Sequence, residues 1–287
     1  MVAEVLDLLA PARGGLFVDC TVGLGGHSRA LLDAGATRVL GLDRDPSALA
    51  IAGETLAPYR DRVELVHADY RELDRVLDAR GIAAVDGTLA DLGVSSMQLD
   101  AEGRGFSFRR DEPLDMRMDQ TSGTSAAEWL RTVDEEELAN VIFRYGEERY
   151  SRRIARAIVS ARASEPVATT GQLAAIVRRA IPHRGYQRID PATRTFQALR
   201  IWVNRELEDL DVFLVGAARR LLHGARLAVI TFHSLEDRIV KHTFRAIEKA
   251  EQAMRILTKR PLVPADAEVA RNPRARSAKL RAIERVA

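Results

Sequence analysis

Over the first ninety residues, short apolar runs alternate with segments of helical spacing, and this alternation constrains the fold more than any other feature. Four runs of about five residues have the composition of buried strands. Strands of this length that alternate with helices predict a parallel sheet built from right-handed β-α-β units. The predicted strands are 16–20, 38–42, 63–67 and 85–89.

After the fourth strand this rhythm is lost. A loop over 93–124 is rich in Gly, Ser, Asp and Met, and helical spacing follows over 125–182. Strand character returns at 227–232. We therefore expect one discontinuous α/β domain, interrupted by an all-helical insertion between its fourth and fifth strands. The expected boundaries are 1–100 and 198–287 for the α/β domain and 101–197 for the insertion.

The composition excludes several classes of protein. Of the 287 residues, 46% are hydrophobic and 29% are charged, which excludes disordered and collagen-like chains. No apolar run reaches the roughly 18 residues of a membrane span. Glu4 and Asp7 stand where a signal peptide would carry bases, and the single Cys20 cannot form an internal disulfide. We expect a cytoplasmic protein without a membrane segment.

The net charge of +2 hides a strong asymmetry. Residues 1–100 hold 9 Lys and Arg against 16 Asp and Glu, whereas residues 141–200 hold 12 arginines against 4 acids. Residues 241–287 hold 12 bases against 5 acids. The guanidinium group can donate two parallel hydrogen bonds to a phosphate. The basic segments are either a surface for a polyanion or solvated helix faces, and charge alone leaves both open.

The first candidate site is the glycine-rich segment 19–28, directly after the first strand. Its glycines allow a tight turn and close approach of a ligand, and the helix that follows presents free N–H groups. Asp43 ends the second strand, eighteen residues after Gly25, where a carboxylate can bind both hydroxyls of a ribose. This combination fits NAD or S-adenosylmethionine, since both contain adenosine.

Two details favour the methyl donor. A dinucleotide motif would carry glycine at the sixth position of Gly23-x-Gly25-x-x-Gly, and Ser28 stands there. Asp19 closes the first strand, where its carboxylate can face an ammonium group but would repel a pyrophosphate. His27 either contacts the ligand or forms a local structural hydrogen bond.

The third and fourth strands run into further polar residues. Tyr70 follows the third strand, in a position to contact an adenine ring, and Asp91 follows the fourth. Ligands of open α/β sheets bind outside the carboxyl ends of the strands. Asp91 could bind the donor or accept a proton from an attacking amine. The alternative is a helix N-cap.

Ten motifs along the chain carry a resemblance to a known family. They lie at 25–28, 42–46, 91–96, 104–108, 113–119, 145–149, 153–158, 191–201, 232–238 and 272–277. The chain resembles the MraW/RsmH family of bacterial methyltransferases, which modify N4 of a cytidine in the decoding region of 16S rRNA of the small ribosomal subunit.

The resemblance implies a class I S-adenosylmethionine-dependent methyltransferase, with a Rossmann-like, mostly parallel sheet and an inserted helical subdomain. It implies S-adenosylmethionine as the methyl donor. No metal is expected, because the six histidines show no paired ligand spacing. By the family pattern, the donor contacts fall on Gly25, Gly26, His27, Asp43, Tyr70, Asp91 and Gln98.

Three departures from the family pattern stand out. Relatives usually begin with a His-x-Pro-Val segment before the match to Val5–Leu9, whereas this chain starts at Met1 within that region. Asp190 stands where many relatives have histidine, and Glu112 replaces a common glycine. Neither substitution falls on an expected donor contact.

Asp91 is the leading candidate for holding the amine that is methylated, with His233 and Asp115 as second choices. Many amino methyltransferases carry an Asn- or Asp-Pro-Pro-aromatic tetrad after the fourth strand, whereas this chain has Asp91-Leu92-Gly93-Val94. Each second choice has a structural alternative. His233 could bond only a neighbouring carbonyl, and Asp115 could only hold its loop together with Arg117.

Two features of the insertion suit RNA. Phe106 and Phe108, among Arg104, Arg109 and Arg110, could stack on a base or could close the insertion's own core. In the segment 149–156, Arg152 and Arg156 are one helical turn apart, opposite the apolar Ile154, Ala157 and Ile158. We expect that face to meet phosphate. The alternative pairs the arginines with Glu147 and Glu148.

The expected partner is 16S rRNA, within a small ribosomal subunit. Three other functions stay open: a small-molecule methyltransferase, a noncatalytic RNA-binding protein and, least favoured, a nicotinamide dehydrogenase. The sequence leaves the oligomeric state open, with a homodimer as one alternative.

Overall fold

The computed structural model describes residues 1–182 and 190–287, so Arg184 and Arg188 of the basic segment lie outside the described residues. The chain forms two compact units, one made of Met1–Gly93 with Leu207–Ala287 and the other of Val94–Glu206. Within the described residues, we find no helix whose length and apolar character would allow it to cross a membrane.

The first unit is built on a seven-stranded sheet with the order β3-β2-β1-β4-β5-β7-β6. The strands are β1 (Leu16–Asp19), β2 (Arg38–Asp43), β3 (Val63–His67), β4 (Val85–Asp91), β5 (Leu221–Thr231), β6 (Met254–Ile256) and β7 (Lys279–Arg285). Strands β1 to β5 are mutually parallel, and β7 pairs antiparallel with both β5 and β6. The mostly parallel sheet expected from the sequence is confirmed.

Helices cover both faces of this sheet. In chain order they are α1 (Val2–Leu9), α2 (Gly26–Asp33), α3 (Pro46–Thr55), α4 (Leu73–Asp78), and, after the second unit, α11 (Leu210–Arg219), α12 (Ser234–Ala250) and α13 (Asp266–Arg271). Successive strand residues point to opposite faces. Accordingly, Phe17 and Val39 belong to one buried cluster, while Val18 and Leu40 belong to another. Because both faces of the sheet are buried, apolar residues occupy successive positions in strands such as β1 and β2.

Strand β5 begins six residues before the predicted start at 227. Its first part contains the exposed Leu222 and His223 and then Gly224, which has a φ of +74°. The pairing with β4 shifts register there, between Val85 and Gly87. An irregular, half-exposed strand lacks the apolar pattern that predicts strands, and this is why the sequence reasoning missed its start.

The second unit is helical. Its helices are α5 (Ser96–Asp100), α6 (Ala126–Thr132), α7 (Glu135–Gly146), α8 (Ser151–Arg162), α9 (Thr170–Ala180) and α10 (Ala192–Asn204). They enclose a core of their own, in which Trp129 and Trp202 stack with ring centroids 3.8 Å apart. On α8, Ile154 and Ile158 are fully buried while Arg152 and Arg156 are exposed, as the amphipathic spacing predicts.

The boundaries of the second unit are wider than the expected 101–197. At its start, Val94 and Leu99 pack against the unit's core, and Ser95 caps α5. At its end, the buried Asn204 donates to the carbonyl oxygen of Met116 and accepts from the amide of Met118, both at 2.7 Å. These contacts tie residues on both sides of the expected insertion to the helical unit.

The phenylalanines of the long loop belong to the second unit's core. Phe106 is buried, and Phe108 packs edge-on against Phe196 with ring centroids 4.7 Å apart. Arg104 is buried as well and donates to the carbonyl oxygens of Arg117 and Met118. Of the two alternatives that the sequence left open, this arrangement favours closure of the insertion's core over stacking on a base.

Candidate active site

The glycine turn after β1 leads directly into α2. Gly25 caps this helix with a φ of 85°, a left-handed conformation that costs a residue with a side chain about 1–2 kcal/mol in strain. A Cβ atom at Gly25 would also lie 3.2 Å from the Leu56 side chain. At Gly26, the first residue of α2, nothing lies within 4 Å of where a Cβ would be. Open space therefore borders the helix start, where free backbone N–H groups can meet a ligand.

Asp19, at the end of β1, is almost completely buried, with 1% of its surface exposed. Its carboxylate accepts hydrogen bonds from the Ser28 hydroxyl at 2.8 Å and from the Thr21 amide at 3.2 Å. Burial raises the pKa of Asp19 to about 6, although nearby His27 and these hydrogen bonds act in the opposite direction. The hydroxyl of Ser28 thus has a specific use at the position where a dinucleotide motif would carry glycine.

His27 and Asp91 form a pair at the carboxyl ends of β1 and β4. His27 Nε2 lies 3.6 Å from Asp91 Oδ2, and the Asp91 amide donates to the Thr21 hydroxyl at 2.7 Å. Burial by itself would lower the pKa of His27, but the adjacent Asp91 carboxylate outweighs it, and the pKa is raised. The pair therefore favours an imidazolium beside a carboxylate.

Each member of this pair keeps one buried polar atom without a hydrogen-bond partner among the described residues. These atoms are His27 Nδ1 and Asp91 Oδ1. Buried polar atoms in native proteins nearly always have a partner, and an unsatisfied one calls for an explanation. Two such atoms beside an open glycine turn can form hydrogen bonds with a polar ligand.

Asp43 lies at the end of β2 and holds the glycine turn. One carboxylate oxygen accepts from the Gly23 amide at 2.8 Å, and the other accepts from the Asp45 amide at 2.9 Å. Burial raises the pKa of Asp43, and the two amides partly counter this effect. Because each carboxylate oxygen has about two acceptor sites, Asp43 retains one site per oxygen for the hydroxyls of a ribose.

Tyr70 follows β3 and begins a short 3₁₀ helix, Tyr70–Glu72. Its side chain is 9% exposed and packs against Phe213, with ring centroids 4.8 Å apart. The ring is mainly part of the first unit's core, so only a small part of it is open to an adenine. That contact stays a prediction.

Gln98, the seventh expected donor contact, lies in the second unit. Its side-chain oxygen accepts from the Ser95 amide at 2.9 Å, and its backbone amide donates to the Ser95 hydroxyl at 3.2 Å. This reciprocal capping box starts α5. A donor contact from Gln98 remains a prediction.

The two second-choice candidates for the amine both have structural partners. His233 caps α12: its Nδ1 accepts from the Glu236 amide at 3.4 Å, and its Nε2 lies 3.1 Å from a carboxylate oxygen of Glu236. Asp115 binds Arg117 through both carboxylate oxygens, at 2.8 and 2.9 Å, and also accepts from Gln120. Burial would raise the pKa of Asp115, but the bonds from Arg117 hold it below its usual value. For Asp115 this geometry favours the structural alternative stated above. His233 also has a structural role, but it caps a helix by accepting from a backbone amide and does not bond the expected carbonyl.

One member of the site was missed by the sequence reasoning. Thr21 connects the two strand ends, since its amide donates to Asp19 and its hydroxyl accepts from the Asp91 amide. Its position inside the glycine-rich segment was a signal, but hydroxyls are common in such turns. Only the pairing of β1 with β4 shows which backbone group this hydroxyl meets.

These groups fit S-adenosylmethionine. Asp43 has acceptor sites left for the ribose hydroxyls, and the unsatisfied Nδ1 of His27 can bond another part of the ligand. Both oxygens of the buried Asp19 already accept hydrogen bonds, so its expected contact with an ammonium group stays a prediction. The model of the MraW methylase family matches residues 1–286. This chain belongs to the MraW methylase family. As a member of the MraW methylase family it is a class I S-adenosylmethionine-dependent methyltransferase, and its seven-stranded sheet with an antiparallel β7 agrees with that class.

Two relatives illustrate the match across the MraW methylase family. The chain is 53% identical over 283 residues to a Ribosomal RNA small subunit methyltransferase H of Sorangium cellulosum, covering 99% of this chain and 89% of that protein. It is 48% identical over 303 residues to the protein of the same name in Geotalea uraniireducens, covering 100% of this chain and 97% of that protein.

Among solved structures, an rRNA methylase from Streptococcus thermophilus has a TM-score of 0.45 and 11% identity. The likeness covers 100% of this chain and 96% of that chain. Membership of the MraW methylase family rests on the sequence match.

Proposed function

We propose that this protein transfers the methyl group of S-adenosylmethionine to N4 of a cytidine in the decoding region of 16S rRNA, within the small ribosomal subunit in the cytoplasm. Two relatives that match nearly the whole chain are named for small-subunit rRNA methylation. The family resemblance carried by the ten sequence motifs supports cytidine as the nucleoside that is methylated and the decoding region as its position. The arginine-rich second unit supports an RNA substrate.

The observation that carries the proposal is the His27–Asp91 pair. Asp91 Oδ2 is paired with His27, while the buried Oδ1 has no partner among the described residues. The side chain of Asp91 is 30% exposed, so part of the carboxylate is accessible. The exocyclic amine of cytosine has two N–H donors, and one of them can donate to this carboxylate where it is exposed. Asp91 can therefore bind the amine and fix its orientation.

Orientation matters because the lone pair of a cytosine amine is delocalised into the ring. S-adenosylmethionine supplies an activated methyl group on a sulfonium. As the N4–methyl bond forms and the sulfur–methyl bond breaks, the electron pair of the breaking bond returns to sulfur, and N4 must lose one proton. Asp91 is placed to accept it, next to the imidazole of His27. Alignment of such groups contributes roughly 7–11 kcal/mol of barrier reduction.

The substrate base must leave its stack to reach this carboxylate. Extrusion of a base costs a few kcal/mol, or less where the base is already single-stranded. Contacts between arginines and RNA phosphates supply binding energy against this cost. The 12 arginines at 141–200 make the second unit the part of the chain most suited to such contacts.

The nucleoside product tests the substrate assignment. Small subunits from a strain that lacks the gene are incubated with the purified protein and S-adenosylmethionine, and the 16S rRNA is digested and analysed by mass spectrometry. We expect one N4-methylated cytidine in the decoding region. Methylation of another position or of a free small molecule, or no methylation, would contradict the proposal.

Asp91→Asn tests the role of the pair. We expect turnover to fall by roughly 10²–10⁴ fold with little change in donor affinity, because the amide keeps its shape but accepts no proton. Asp86→Asn is the matched control, since Asp86 is half-buried at the opposite end of β4 and bonds the Leu16 amide. A parallel loss of turnover and donor affinity in Asp91→Asn would instead make Asp91 a donor ligand.

A further inference from the structure

A cleft opens between α8 and α9 of the second unit. Its volume is about 340 Å³, and its lining residues are Arg153, Arg156, Ala157, Ala161, Ile176, Arg179 and Ala180. This volume lies at the lower end of the roughly 300–1,000 Å³ of small-molecule pockets, enough for a phosphate and the sugar attached to it. Three of the seven lining residues are arginines and none is acidic.

Most of this positive charge is not neutralised. Arg153 is exposed and has no ion-pair partner among the described residues. Among the described residues, the Arg179 side chain donates through Nε alone, to the Ala175 carbonyl at 3.3 Å. Arg156 Nε donates to Glu135 at 3.3 Å, but the Arg156 side chain is 75% exposed and that of Glu135 is 42% exposed, and such solvated pairs contribute little. Three guanidinium groups around one cleft are complementary to an anion.

The arginine beside this group behaves differently. Arg178, next to Arg179 on α9, pairs with Asp190 at 2.7 Å and lies 5.6 Å over the Phe108 ring. Its charge and its position are thus used within the second unit. On α9, Arg178 therefore has a structural role, whereas Arg179 is available to a ligand.

The floor of the cleft is apolar and made mostly of small side chains. Ala157 and Ala161 are half-buried, and Ile176 and Ala180 are 6% exposed. Small residues at these positions leave the space between the helices open. A ligand that matches both parts of the cleft must carry negative charge at its edge and a less polar body. The backbone of RNA, with its phosphates and sugars, has this composition.

We propose that this cleft binds the sugar-phosphate backbone of a single-stranded rRNA segment, with its phosphates on Arg153, Arg156 and Arg179 and a sugar against the alanine floor. The inference rests on the proposed function for the identity of the RNA. It differs from the surface expected from the sequence, because Arg152 lies on the same helix but does not line the cleft.

The first experiment removes charge. Binding of small subunits is measured at 50, 100 and 200 mM salt for the Arg153→Gln, Arg179→Gln double variant and for Arg152→Gln as matched control. Removal of one phosphate contact lowers the slope of log affinity against log salt by about 0.7. The double variant should therefore lose affinity. The ratio of the affinity of the unchanged protein to that of the variant should be about 7-fold larger at 50 mM salt than at 200 mM salt. Arg152→Gln should keep the slope.

The second experiment fills the cleft without changing charge. Ala161→Phe places a bulky ring on the floor while every arginine remains, and we expect it to weaken binding of the small subunit at each salt concentration. Its circular dichroism and thermal unfolding are compared with those of the unchanged protein. If misfolding prevents its use, the salt series of the arginine variants decides by itself.

The outcomes separate this inference from the proposed function. An unaltered slope in the double variant, or equal effects of Arg152→Gln, would overturn the cleft as a phosphate site even if the rRNA is methylated. The expected slopes with methylation of a different nucleoside would support the cleft and contradict the cytidine assignment. Failure of the unchanged protein to bind small subunits would overturn both.

Discussion

Replacing Asp19 with asparagine should stabilise the ligand-free protein, and by more at pH 8 than at pH 5. Asp19 is fully buried, and burial raises its pKa from 3.8 to about 6. The folded state thus binds the proton more tightly than the unfolded state does. The contribution of Asp19 to the free energy of unfolding is therefore greatest at low pH, and it is lost as the pH rises from the unfolded-state pKa of 3.8 through the folded-state pKa of about 6. An amide at this position carries no charge and avoids that loss.

The magnitude follows from the two pKa values. At pH 8, above both, the ionised Asp19 costs about 3 kcal/mol, whereas at pH 5 it costs between about 1 and 2 kcal/mol. The asparagine keeps an oxygen that accepts from the Thr21 amide, and its NH2 group can donate to the Ser28 hydroxyl, so its hydrogen bonds do not change with pH. We therefore expect the free energy of unfolding of Asp19→Asn, relative to that of the unchanged protein, to be higher at pH 8 than at pH 5 by about 1–2 kcal/mol.

The assay must report on the first unit. Both tryptophans, Trp129 and Trp202, lie in the second unit, so their fluorescence follows the wrong part of the chain. Cys20 is the single cysteine, is 1% exposed and lies next to Asp19, so its labelling by an aromatic disulfide along a urea series reports unfolding there. Equal differences at pH 5 and pH 8 would refute the reasoning. Ser28→Ala, which removes a hydrogen bond to the carboxylate, should enlarge the pH dependence.

Two further changes test other parts of the structure. Asp43→Ala should weaken S-adenosylmethionine binding, measured by calorimetry, by about 1.5–3 kcal/mol because hydrogen bonds to a charged acceptor are lost; unchanged affinity in a folded variant would remove Asp43 from the donor site. Asn204→Ala should destabilise the second unit by about 2–5 kcal/mol in urea unfolding followed by tryptophan fluorescence, because the Met118 amide and Met116 carbonyl lose their partner. A loss below about 0.5 kcal/mol would show that this asparagine does not secure the loop.

The sheet was largely predictable because its signals are local. The strand β3 was predicted at its observed bounds, Val63–His67, since three of its five residues, Val63, Leu65 and Val66, are apolar. The ends of parallel strands meet at one edge of a sheet, so the order of elements along the chain was enough to place Asp19 and Asp91 near each other. Gly25 and Gly26 were expected as donor contacts through the family resemblance, and that role stays a prediction.

The remaining features depend on contacts between distant residues. Nothing in the local sequence shows that His27 pairs with Asp91, 64 positions later, or that Asn204 bonds the loop around Met116. The capping role of His233 had a signal, since a glutamate three residues later is typical of a capping box, but histidine is not a usual capping residue. The arginine cleft requires the packing of α8 on α9, which helical periodicity alone does not define.

The interruption of the first unit has a consequence for its synthesis on the ribosome. Strands β4 and β5 are neighbours in the sheet, yet 129 residues separate Asp91 from Leu221. At about 5–20 residues per second, the growing chain carries β4 for roughly 6–26 seconds before its partner emerges. Throughout that interval, the edge of β4 that pairs with β5 has no partner strand. Strand β4 contains Leu89 and Ala90, which are fully buried in the folded protein. Chaperones that recognise such strands have their best opportunity to bind this enzyme in that interval, while the second unit is still being made.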